Sequence, residues 1–425
     1  MLDVRTTVLD PDAPGASVAL LDLLAAVGRP DPAVERFAFV RDGEGAVGWG
    51  VAARIAVPAG DGRGAAVRSR VAEVVGATRD AVAFASLTFD PEEEGSVVVV
   101  PAVTLVRRGG RTVVVRAGGA PEGAGGMLDV VDGIGGGSGG GRAAEAPGDR
   151  PRVAGSTLRD DRWLEAVAEA LATIAAGEGP ERLVKVVLAR DLHVWSRVPF
   201  DVDRVLGTLA GRFPSCFTFL VDGLVGASPE LLLAREGRAV RSRVLAGTAP
   251  RGGTGAEDEA LGAALLASEK DLREHALART SVLEALGEVC VTLSAPDGPS
   301  LVRLENVQHL GTDVAGELAD DVHVLDLLDG LHPTAAVAGT PRGPALQAIR
   351  ALEGMSRGRY AGPVGWFTPS GDGEFAIALR CGVFDGPRAR LFAGAGVVDG
   401  SLPELELAET WLKLRAMMGA LGDVG

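Results

Sequence analysis

A globular chain of mixed strands and helices is predicted here, on three observations. First, β-prone runs are joined at close range by turn residues. Residues 37–40 and 47–55 flank Asp42-Gly43, 97–106 and 112–116 flank Gly109-Gly110, and 231–234 and 238–245 flank Glu236-Gly237. Second, helical periodicity runs through 161–176 and, at greatest length, through 257–286. Third, 47% of the 425 residues are hydrophobic, enough to bury a sizeable core.

Charge narrows the function. A net charge of −15 argues against nucleic acid and against an anionic membrane surface, so an anionic ligand needs local cations or a metal. No apolar run reaches the length of a membrane span, and the N-terminal residues lack the basic and apolar regions of a signal peptide; the expected location is the cytoplasm. Cys216, Cys290 and Cys381 are odd in number and far apart, giving neither a disulfide framework nor a zinc pattern. Of the 42 basic residues only Lys185, Lys270 and Lys413 are lysine. Where arginine serves every ordinary need for positive charge, a retained lysine marks a place for a compact ammonium or for a group that exchanges a proton.

Taken in order, residues 1–116 read as sheet scaffold without evident chemistry, and 117–149 as a Gly-rich flexible insertion. Gly135, Gly137 and Gly140 spell GxGxxG, but no βαβ pattern surrounds them, and the dipeptide Gly-Lys of a P-loop is absent. Residues 181–195 read as a strand with Lys185 among Val and Leu. It is either an edge-strand or snorkelling lysine or a desolvated base. Glu230 stands at a turn before a buried strand, solvated there or held protonated by burial. Residues 246–249 turn the chain toward an Arg-Gly loop. Asp271, Glu274 and His275 share one helix face, by default a solvated one. His309 ends the strand 301–310, Tyr360 is the only tyrosine, and Arg380 sits inside the predicted strand 375–384, where it requires an anionic partner. In 391–414 a glycine-rich strand end leads into a helix with Pro403 in its first turn. Glu406, Glu409 and Lys413 follow at helical spacing, compatible with an exposed salt bridge or with a site.

These segments together resemble a known family. KVVLAR from Lys185, GASPELL from Gly226, LAGT from Leu245, SEKDLREH from Ser268, VQHL from Val307, HPTAAVAGTPR from His332, RYAGPVGW from Arg359, IALR from Ile377, AGAGVV from Ala393 and ELELAETWLK from Glu404 are similar to blocks of the chorismate-utilising enzymes. The resemblance covers 157–420, the chorismate-binding catalytic region, with 1–116 as its sheet partner. It implies one α+β domain of mostly antiparallel sheet layers flanked by helices, as in anthranilate synthase component I, around a Mg²⁺ site. Glu274 and Glu409 are then implied as metal ligands, with Asp271 and Glu406 acting through water. Arg380, Lys413, Gly394 and Gly396 are implied to hold the substrate carboxylates; Gly247, Thr248, His309, Ala336 and Tyr360 complete the pocket wall. Water adds at C2 of the ring while the C4 hydroxyl departs, with Lys185 as base and Glu230 as acid.

Within the family, HPTAAVAGTP carries Ala336 where amine-forming and salicylate-forming relatives tend to carry threonine, and no Leu-Leu-Glu-Ser motif occurs in 1–110. The resemblance therefore implies an isochorismate synthase of menaquinone or siderophore biosynthesis, a monomer without an amidotransferase subunit. Salicylate synthase is the alternative, and the aminodeoxychorismate and anthranilate synthases stand further off.

Overall fold

The computed structural model describes residues 1–9, 18–28, 34–60, 62–76, 78, 80–118 and 150–422. The expected insertion falls almost wholly outside them, as does its GxGxxG; Ala117 and Gly118 belong to the end of the strand Arg111–Ala117. The described residues form one 20-stranded sheet flanked by helices, an α+β architecture.

The strand Val97–Arg108 is the pivot of that sheet. Along one side it pairs antiparallel with Glu44–Ala56, and from there the order continues through Arg36–Arg41, Phe217–Val221, Leu224–Ser228, Cys381–Asp385 and Arg388–Val398 to Lys185–Trp195. On its other side the first residues pair with Ala83–Ser86, and the order runs through Pro363–Phe367, Gly373–Ile377, Leu231–Glu236 and Ala239–Pro250 to Val307–Leu318. Residues from the far ends of both runs line one cavity. Apolar packing fills the space around it: one buried cluster includes Phe37, Phe84, Phe367 and Phe375, and a second lies under the helices Leu20–Gly28, Val202–Arg212 and Pro403–Leu421.

Tight turns form where the sequence predicts them. Asp42 and Gly43 both take positive φ (51° and 78°), the geometry of a two-residue hairpin whose twist matches its strands. Longer predicted elements prove to be interrupted. The pattern 257–286 is two helices, Gly255–Ala267 and Glu269–Gly287, because the Ser268 hydroxyl accepts the Asp271 N–H and caps the second. Residues 375–384 are two strands broken at Arg380, whose φ is 48°. Residues 301–310 are a hairpin between Ser300–Arg303 and Val307–Leu318. The strand predicted from 181 begins at Lys185. Residues 246–249 do not turn; the strand runs on to Pro250 through a bulge at Gly247, whose φ of 81° suits glycine.

A buried ion pair ties the layers beside the cavity. The Glu353 carboxylate accepts from the Ala189 N–H and from Arg357, and the Arg357 guanidinium also donates to the carbonyls of Val187 and Val337. Arg357→Ala leaves Glu353 buried without its partner. It should lower the unfolding free energy by ~3–5 kcal/mol in urea titrations, with no such loss at the exposed pair Arg162–Glu165.

Candidate active site

Lys185 opens its strand with partners on both sides, Val398 on one and Thr340 on the other, and is wholly buried. That corrects the edge-strand and snorkelling readings, since no free edge or path to water is left to the side chain. Its ammonium lies 3.2 Å from Glu274 Oε1 and makes no hydrogen bond. The ion pair with Glu274 offsets part of the cost of burying the ammonium, which sits directly behind the lining residue Gly396.

Glu230 follows the strand Leu224–Ser228 and is buried. Burial pushes its carboxyl up to about 8, against the opposing pull of the Leu245 N–H, Lys185, Arg380 and Lys413. The group is therefore a protonated acid at neutral pH, lodged among cations. The solvated-turn reading does not hold.

Cationic groups also line the cavity. Arg380 donates to His309 Nε2 at 2.9 Å, which makes that nitrogen an acceptor and leaves Nδ1–H to donate to the Gly247 carbonyl at 3.2 Å. Burial first, then Arg380 and Lys413, hold His309 well below its ordinary range, so it stays neutral. Arg380 has its Nε buried without a partner. Lys413 donates to the Gly394 carbonyl at 2.9 Å. Tyr360 stacks on Phe392 with centroids 5.0 Å apart, and burial raises its phenol so that it remains a donor.

The structure brings most of the sequence-predicted residues into the cavity lining. Glu230, Gly247, Thr248, Glu274 and His309 line it, and so do Ala336, Tyr360, Arg380, Gly394, Gly396, Glu409 and Lys413. The helix Pro403–Leu421 turns Glu409 inward and buries Glu406, which corrects the exposed-helix reading. Lys185, Asp271 and Glu406 stay outside the lining: Lys185 faces Glu274 behind Gly396, Asp271 accepts from the Ser268 hydroxyl, and Glu406 accepts from Lys270 at 2.6 Å. His275 is a buried structural residue bonded to Thr312 and the Ala246 carbonyl, so the face it shares with Glu274 is not solvated. Sequence reasoning missed Arg357 and Phe392 in the lining. Phe392 shares a strand face with Gly394 and Gly396, the signal that could have found it; nothing local distinguished Arg357 from the other arginines.

Hard oxygen donors suit Mg²⁺, and Glu274 and Glu409 supply them on the cavity wall. Gly396 leaves room for that carboxylate, because a Cβ there would stand 2.1 Å from Glu274 Oε1. Among the described residues no three carboxylate or imidazole groups converge on one point. Glu274, Glu409 and Glu406 are turned instead onto Lys185, Lys413 and Lys270.

Residues 47–422 match the family model described as chorismate binding enzyme. The chain belongs to the chorismate-binding enzymes. Among its relatives in this family, isochorismate synthase DhbC of Bacillus subtilis is 44% identical over 272 residues, 61% of this chain and 67% of that one. Isochorismate synthase MenF of the same organism is 40% identical over 274 residues, 64% of this chain and 57% of the relative, so the match spans little more than half of that protein. The solved structure of MenF, the menaquinone-specific isochorismate synthase of Escherichia coli, superposes with a TM-score of 0.80 at 26% identity, covering 99% of this chain and 95% of that one. No described helix is long and apolar enough to cross a membrane.

Two outcomes are expected from this geometry. Gly396→Ala must displace Glu274 and should cost ~1–3 kcal/mol in chemical unfolding, whereas Gly394→Ala, whose nearest contact would be 3.2 Å, should cost less. Glu230 binds its proton more tightly folded than unfolded. The unfolding free energy should therefore fall as pH rises from about 4.5 to about 8, by at most ~1.4 kcal/mol per pH unit from this group, and Glu230→Gln should remove that slope.

Proposed function

We propose that the chain is an isochorismate synthase, an isomerase that converts chorismate to isochorismate with Mg²⁺. The observation that carries this reading is a buried, protonated acid on the wall of one cavity, with a buried ammonium close behind that wall. Those groups are Glu230, which lines the cavity with Arg380 and Lys413, and Lys185, whose Cε would lie 3.4 Å from a Cβ on the lining residue Gly396. The likeness to named isochorismate synthases over the site-bearing region supports the same choice of substrate.

In this reading Arg380, Lys413 and the backbone at Gly394 and Gly396 hold the substrate carboxylates, and Glu274 and Glu409 hold the metal. Bound Mg²⁺ supplies positive charge to a substrate carboxylate in a net-acidic protein. Lys185 must first give up the proton of its ammonium; it then takes the proton of the water that attacks C2. Glu230 gives its proton to the C4 hydroxyl, which leaves as water, so one water enters and one departs, and return of a proton from Lys185 to Glu230 restores both groups. The neutral His309 and the Tyr360 hydroxyl line the pocket without adding charge. Ala336, small and apolar, adds no hydroxyl to the wall. The enzyme acts in the cytoplasm, as a monomer without an amidotransferase subunit, for menaquinone or siderophore synthesis.

Incubation with chorismate and Mg²⁺, followed by chromatography, tests the reading. Isochorismate should accumulate, whereas salicylate with pyruvate, in the absence of an added lyase, would identify a salicylate synthase instead. Lys185→Ala should lower kcat by ~10²–10⁴-fold while Mg²⁺-dependent chorismate binding persists in calorimetry; near-normal turnover removes the base assignment.

A further inference from the structure

Lys270 is the one lysine that the reaction leaves unused. It lies on the helix Glu269–Gly287 one turn before Glu274, outside the cavity lining, and its ammonium is 2.6 Å from Glu406 Oε1. Glu406 is itself buried, on the helix Pro403–Leu421 one turn before Glu409. The other two lysines stand in the same relation to the other two glutamates: Lys185 is 3.2 Å from Glu274, and Lys413 is 2.5 Å from Glu409. Each of the three lysines of the chain thus neutralises one of three neighbouring glutamates.

The charges are mutually felt. Burial lowers Lys270, but attraction to Glu406, then Glu274 and Glu409, outweighs it and raises the ammonium above its ordinary value. Glu406 is raised by burial and by Glu409, against Lys270. The three carboxylates do not meet at one point, but each is partly desolvated and near enough to act on Lys270, so each needs either a resident ammonium or a bound cation. Lys413 lines the pocket, and Lys185, directly behind it, has the proposed role of base. Lys270 has no substrate to reach, and its surroundings give it one electrostatic task.

We propose that Lys270 is an internal counter-ion of the carboxylate cluster that competes with the divalent cation and so sets the affinity of the site for it. This rests on the metal reading given above. The ammonium holds Glu406 in place when no metal is bound and opposes the dication when one arrives. The site is thereby kept weak enough to respond to the metal concentration around it, and stable without metal. Arginine at this position would keep the charge but spread it over a planar fork, which fits one carboxylate oxygen at 2.6 Å less well than a compact ammonium does.

The test is direct cation binding without substrate. The full chain and its Lys270→Met and Lys270→Gln variants are titrated with Mg²⁺ by calorimetry and with Mn²⁺ by electron paramagnetic resonance, and thermal melts are recorded with and without metal. Removal of one unit charge beside a dication should tighten binding about tenfold. It should also lower the metal-free Tm while leaving the melts at saturating Mg²⁺ close together. Unchanged or weaker binding in both variants, with wild-type binding intact, overturns the proposal and leaves the metal reading standing. Absence of binding in all three proteins, with and without chorismate, overturns both. Two neutral variants guard against the misfolding of either one, and near-equal melts at saturating metal show that the fold persists.

Discussion

An ammonium cut off from water faces a carboxylate almost as deep: Lys185 against Glu274, 3.2 Å apart. Desolvating either group alone costs several kcal/mol, and only close approach of the opposite charge offsets it. The pair therefore demands that a strand and a helix from separate parts of the chain be placed accurately. The structure supplies that accuracy by enclosure. The strand Lys185–Trp195 is paired on both sides, Arg357 and Glu353 bond to its carbonyl and N–H groups at Val187 and Ala189, and Gly396 gives up its side chain to make room for the carboxylate. Because the ammonium still lacks a hydrogen bond, the enclosure is complete in charge and incomplete in hydrogen bonding.

Arginine and lysine divide the positive charge of this protein by shape. Arginines frame the fold. Arg357 forks onto Glu353 and two carbonyls, Arg350 onto both oxygens of Asp90, and Arg390 onto Asp191 beside the Met355 sulfur. A planar guanidinium suits such multiple, fixed contacts. Arg380 is the arginine that leaves the frame for the cavity, and it does so from a left-handed backbone that interrupts its strand. Lysines are confined to the carboxylate cluster, where a small movable charge is wanted.

Local chemistry was legible in advance and long-range chemistry was not. Turns at Asp42-Gly43 and Gly109-Gly110 could be read because positive φ at these residues is a property of two or three neighbours. The breaks at Ser268 and Arg380 could not, because a periodicity spans a short interruption without registering it. Lys185, Lys270 and Lys413 stood out from composition alone, since a scarce residue carries information that an abundant one does not. For the same reason Arg357 passed unnoticed among the arginines, though it lines the cavity and ties it to the frame.

By itself, then, the sequence determined the antiparallel hairpins, the set of scarce cations and acids, and, through resemblance, the family. The helix that carries Glu406, Glu409 and Lys413 shows the limit of that information. Its spacing suits a surface salt bridge and a buried cluster equally well, because i,i+4 geometry is the same in both. Only the tertiary structure decided between them, by closing the two runs of the sheet on each other. That closure buries Glu406 against Lys270 and sets Glu409 on the wall that also holds Glu274. The protonation of Glu230 was decided in the same way, since burial is a property of what surrounds a residue and not of the residue.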